Sequence, residues 1–98
     1  MNQLLTNFNK AFESKARLSL MSVLMVNDSL SFNAFKELLG LTDGNLATHL
    51  RALEEAGFVS VQKQFVGRKP NTTYTATEAG RQAFTEHLNA LEEFIKGI

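Results

Sequence analysis

Residues 41–58 read LTDGNLATHLRALEEAGF, and this stretch decides the fold. Thr42 is a natural helix N-cap, because its hydroxyl can accept from the unpaired N–H groups of a first turn. Leu46, Leu50 and Leu53 follow at i, i+4 and i+7 as one apolar stripe, and Gly57 ends the run. At about 100° per residue, Gly44, Thr48, Arg51, Ala52 and Glu55 point away from that stripe. One face holds the helix to a core, and the other is free to present side chains.

Upstream, Ser31 can cap a helix FNAFKELLG whose Phe32, Phe35, Leu38 and Leu39 face inward and whose Gly40 supplies a left-handed stop. Only a short turn separates it from Thr42, so the two helices form a helix-turn-helix. Before them, SKARLSLMSVLMVNDS carries Leu18, Met21, Leu24 and Met25 on one side, widened by Leu20 and Val23, and predicts a core helix ending near Asn27–Asp28. Leu4, Leu5, Phe8 and Phe12 predict a short amphipathic helix at the N-terminus.

Downstream, FVSVQKQFV and TYTAT have the β-branched and aromatic content of two antiparallel strands, joined through the turn residues GRKPNT. Thr77 caps a last helix in which Phe84, Leu88, Leu91 and Ile95 form a stripe, broadened by Ala83, His87, Ala90 and Phe94. The order is helix, helix, helix-turn-helix, hairpin, helix. It predicts an α+β, mostly helical winged helix-turn-helix with a two-stranded wing, occupying residues 1–98 as one domain, with terminal helices available for dimerisation.

Composition removes several function classes. The 98 residues contain no cysteine, which excludes disulfides, thiolate zinc sites and cysteine nucleophiles. His49 and His87 are the only histidines and have no partners at ligand spacing, so no metal and no cofactor is expected. GRKPNT holds one glycine and lacks the GxxxxGK[ST] pattern of a phosphate loop. No Ser-His-Asp, paired-carboxylate or His-cluster pattern survives placement on these elements, so catalysis is not expected. No stretch reaches the roughly 18 apolar residues of a membrane span, and MNQLLTNFNK lacks a basic region followed by an apolar block. A cytoplasmic protein is the expectation.

Ten basic and ten acidic residues give zero net charge, so any case for nucleic acid rests on local patches. The predicted hairpin supplies one: from Val59 to Thr77 there is no acidic residue, while Lys63, Arg68 and Lys69 are present. Such a ridge suits phosphate and minor-groove contact, although lysine, arginine and proline also protect strand edges. On the free face of the 42–56 helix, Asn45 can bond adenine and Arg51 guanine, and Thr48 offers a hydroxyl and a methyl. Gly44, Ala47 and Ala52 permit close approach, and Thr42 and His49 border the same surface. The plain alternative is a solvated helix face. Asp43, Glu54 and Glu55 oppose phosphate contact, with the two glutamates placed late in the helix, beyond a groove.

LTDGNLATHLRALEEAGFV and FVGRKPNTTYTATEAGR, in that order and separation, resemble the winged-helix repressors of the MarR/ArsR kind, especially the short single-domain members. The resemblance covers essentially the whole chain. It implies a homodimeric, sequence-specific regulator of transcription that reads double-stranded DNA through a recognition helix at 42–56 and a wing at 64–73. The cysteine motifs of ArsR-like metal sensors are absent, as is the length that gives larger MarR-like proteins an effector pocket. The small-molecule effector is therefore unknown.

The terminal stripes, Leu4, Leu5, Phe8 and Phe12 at one end and Phe84, Leu88, Leu91 and Phe94 at the other, exceed what a small core requires and predict a homodimer interface. A winged helix that binds protein through the same stripe, leaving the basic hairpin idle, is the alternative that a neutral net charge favours.

Overall fold

The computed structural model describes residues 8–97, so Leu4 and Leu5 lie outside the described residues. Where the N-terminal apolar spacing predicts a helix, the described part of that segment has only a 3-10 turn, Lys10–Phe12. The side chain of Asn9 accepts from the N–H of Ala11, and Ser14 turns extended to cap the next helix, so the helical path is interrupted on both sides. Phe12 enters the core.

Helix α1, Lys15–Met25, buries Leu20, Met21 and Leu24. It stops short of Asn27–Asp28, and the Arg81 guanidinium donates to the free carbonyls of Leu24 (3.5 Å) and Met25 (3.3 Å). A two-residue strand β1, Leu30–Ser31, leads directly into α2, Phe32–Leu39, where the Ser31 hydroxyl accepts from the N–H of Ala34. Gly40 ends α2 at φ 65°. Phe35 is buried and Phe32 and Leu39 are half-buried, but Leu38 faces solvent, because α3 covers only one side of this short helix.

Helix α3, Asp43–Glu55, is capped by the hydroxyl of Thr42 and buries Leu46, Leu50 and Leu53 as the spacing predicts. Each such leucine contributes about 1.5–3 kcal/mol of transfer free energy, which fixes the rotation of α3 about its axis. Strands β2, Val59–Val66, and β3, Lys69–Ala76, form the wing, and α4, Glu78–Lys96, completes the chain.

The sheet is antiparallel with order β1-β3-β2, so a third strand joins the predicted hairpin. Leu30 pairs with Tyr74 and Ser31 with Thr73. Two residues are too few to show a period of two in the sequence. The turn is also tighter than GRKPNT suggests: Val66 pairs with Lys69 and Phe65 with Pro70, which leaves only Gly67 and Arg68 in the loop. Gly67 has φ 66° and no non-glycine residue described has positive φ, the pattern of a primed two-residue hairpin with glycine first. Pro70 is tolerated in β3 because β1 covers only Thr73 and Tyr74, so the outer edge at Pro70 is unpaired.

The wing is aimed by a clamp at its base. The N–H of Thr77 donates to the Phe58 carbonyl (3.0 Å), and its hydroxyl donates to the Gly57 carbonyl (2.7 Å) while accepting from the N–H of Gly80. A Cβ on Gly80 would overlap the Phe58 carbonyl group. The chain leaving α3 is thereby pinned to the chain entering α4.

Along α4 the buried positions are Gly80, Phe84, His87 and Ala90, not the full predicted stripe. His87 sits among the rings of Phe8 and Phe12, and its Nδ1 accepts from the N–H of Asn9 at 3.0 Å. Leu88, Leu91 and Ile95 lie round the helix from that face and are 43, 41 and 63% exposed. Phe84 shares their stripe but packs on Phe12, and beyond it the buried face continues through His87 and Ala90.

Candidate nucleic-acid interface

Helix α3 presents Asp43, Gly44, Asn45, Ala47, Thr48, Arg51, Glu54 and Glu55 to solvent, whereas Ala52 is half-buried and leaves that surface. The Thr42 hydroxyl is occupied as the N-cap, accepting from the N–H of Asn45 at 3.2 Å. Thr48 donates its hydroxyl proton back to the Gly44 carbonyl at 2.9 Å, so toward a partner it offers its methyl group and an acceptor lone pair, but no proton. Nothing inside the protein approaches Gly44: a Cβ there would meet open space. Intramolecular packing therefore does not demand glycine at this point of the helix.

His49 is half-buried, and the Arg17 guanidinium of α1 contacts its Nδ1 at 3.2 Å. A guanidinium has no acceptor, so Nδ1 accepts and only the Nε2 edge remains for a phosphate. Arg17 also donates through Nε to the Ala11 carbonyl at 2.7 Å, tying α3 to α1 and to the 3-10 turn. Asp43 is paired with Lys36 of α2 at 2.6 Å, which offsets its charge at the start of α3.

Between α3 and the wing lies a cleft of about 220 Å³ lined by Ala47, Leu50, Arg51, Glu54, Val61, Lys63 and Tyr74. It brings together Arg51 and Lys63, two cations from separate elements. Glu54 lines the same cleft. Tyr74 is not legible in the sequence as a site residue, because its place in the cleft depends on the β2–β3 register. Burial, and secondarily the charge of Glu54, push its hydroxyl above the usual tyrosine range, so it remains a phenol at neutral pH.

At the far end of the hairpin, Arg68 occupies the turn and Lys69 opens β3, both exposed. The register puts Lys69 opposite Val66, on the face of the ribbon reverse to that of Lys63, which is opposite Thr72. The cations of the wing are thus distributed over both faces and the tip.

The residues expected at a dimer interface separate into groups. Phe12 and Phe84 are only 2 and 3% exposed, with ring centroids 5.2 Å apart, so the core of this chain uses them and leaves no surface for a second copy. Phe8 and Phe94 are half-buried against one another at 5.9 Å. Leu88 and Leu91 are exposed.

Residues 16–95 match the family model described as a winged helix DNA-binding domain. An uncharacterized protein of Methanocaldococcus jannaschii is 37% identical over 89 residues, which span 91% of this chain and 97% of that protein. The solved structure of a transcriptional regulator homologue from Pyrococcus horikoshii superposes with a TM-score of 0.89 at 28% identity, covering 99% of this chain and 97% of that one. A MarR-family regulator structure from Enterococcus faecalis gives 0.70 at 28% identity, over 98 and 82% of the two chains. The chain belongs to the winged helix DNA-binding domain family and is a winged-helix regulator of the MarR-like kind.

Proposed function

We propose that this chain is a homodimeric repressor of transcription that reads a palindromic site in double-stranded DNA. Helix α3 enters the major groove with Asn45, Thr48 and Arg51 toward base edges, and Gly44 lets the helix approach closely. The wing, residues 64–73, follows the backbone into the adjacent minor groove with Arg68 and Lys69. The observation that carries this reading is the cleft between α3 and the wing, whose lining brings Arg51 and Lys63 together on a protein of zero net charge. The regulators it resembles support the same reading.

The dimer forms through the exposed Leu88, Leu91 and Ile95 together with Phe94 and the N-terminal Leu4, Leu5 and Phe8, which places two recognition helices at symmetric half-sites. The protein works in the cytoplasm, without catalysis. Among the described residues no helix is long and apolar enough to cross a membrane.

Selection of duplexes from a random pool by the purified protein tests the reading. An enriched inverted repeat that silences a promoter when placed across it is the expected result. Absence of any enrichment, with the protein folded, overturns it in favour of a protein-binding module.

A further inference from the structure

Phe65 is 73% exposed near the tip of the wing, the only aromatic among the large apolar side chains that the described residues leave in solvent. Aromatic side chains of this size are ordinarily drawn into cores, and the core of this protein ends at Val61, two alternations earlier on the same strand face. Phe65 is cross-strand partner to Pro70, so the two form an adjoining apolar pair on one face of the ribbon. That face also carries Lys63, the residue that shares the cleft with Arg51.

We propose that Phe65 is a DNA-contacting residue, laying its ring on the deoxyribose surface that lines the minor groove. The proposal rests on the DNA-binding reading above and deepens it. A two-stranded ribbon that enters the minor groove edge-on turns each face toward one sugar-phosphate wall. On this wing Lys63 lies behind the ring on the same face, Arg68 lies at the tip and Lys69 on the reverse. Cations so placed reach phosphates on either side, while Phe65 and Pro70 meet the apolar sugar edges between them. A second copy of the chain is the poorer occupant, because two wings brought together would juxtapose six cations from Lys63, Arg68 and Lys69, with no carboxylate between Val59 and Thr77 to offset them. The ring supplies affinity that does not depend on counterion release, in contrast to its charged neighbours.

The chain contains no tryptophan, so Phe65→Trp creates a single reporter at the tip. Addition of the selected duplex should shift its emission to shorter wavelength. Phe65→Ala should bind the same duplex roughly tenfold more weakly, as removal of about half of a buried phenyl surface implies. Its slope of log affinity against log salt should equal that of the wild type, since no charge is removed. Wild-type affinity in Phe65→Ala together with unmoved Phe65→Trp emission overturns the inference and leaves the DNA-binding reading intact. A change in sedimentation with unchanged affinity assigns the ring to a second copy and equally overturns it. A wild-type protein that binds no duplex removes both the inference and the reading beneath it.

Discussion

Arg51 of α3 and Lys63 of β2 line one cleft, together with Glu54 and Tyr74. Two cations in one concavity strengthen the local potential for a polyanion, while Glu54 penalises a phosphate placed too deep. Arg51 is exposed on α3, the helix proposed to enter the major groove. Arg51→Ala should cost about 1–3 kcal/mol on the selected site and relax base preference at one position of each half-site. Binding titrations on the selected duplex and its single-base variants measure this; unchanged discrimination assigns Arg51 to solvent.

Gly44 and Gly80 give opposite expectations for the same substitution. A methyl at Gly44 meets open space and the position is inside a helix, so Gly44→Ala should stabilise folding by about 0.5–1 kcal/mol. The same methyl lies on the surface proposed to approach DNA, and affinity should fall. At Gly80 a methyl collides with the Phe58 carbonyl group, and Gly80→Ala should destabilise by about 1–3 kcal/mol. Urea unfolding of both variants, with duplex titration of Gly44→Ala, checks the pair.

Dimerisation through α4 is tested by Leu91→Glu. Leu91 is 41% exposed in the single chain, so the fold should tolerate the carboxylate, with a loss of stability under about 1 kcal/mol in the protomer. A buried interface would not tolerate it, and sedimentation should show dimer converted to monomer at micromolar concentration. A wild-type protein that is already a monomer there contradicts the assembly.

Tyr74 supplies a pH dependence. Its hydroxyl is held protonated in the folded state by burial and, to a smaller extent, by Glu54. The stability this contributes is fully present below the unfolded value of about 10 and is lost as pH rises through the higher folded value. Denaturation midpoints should therefore fall above pH 10, and Tyr74→Phe should flatten that part of the curve. A wild-type curve with the same slope as Tyr74→Phe removes the effect.

The sequence exposes those elements whose signals are local. Thr42, the leucines at 46, 50 and 53, and Ser31 and Thr77 as caps each act within one or two turns, and the structure has them in those roles. The features that escape depend on distant partners. Strand β1 exists only because Leu30 and Ser31 find β3, and the two-residue turn follows from the pairing of Phe65 with Pro70. Leu88 and Leu91 share a helical stripe with Phe84, but beyond Phe84 it is their neighbours His87 and Ala90 that are buried, a choice set by where the rest of the chain packs on α4. The basic residues of the candidate interface are legible individually; the cleft that unites Arg51, Lys63 and Tyr74 requires the packing of α3 against the sheet.

Whether the wing grips DNA is tested most directly by the salt dependence of binding. Arg68 and Lys69 are exposed at a polar tip, so replacing both with alanine should leave folding nearly unchanged. Specific and non-specific duplexes should weaken together, and the slope of log affinity against log salt should shrink by about one unit for each phosphate that a subunit no longer neutralises. A folded Arg68→Ala, Lys69→Ala double variant that keeps the wild-type affinity and slope would contradict a wing that touches DNA.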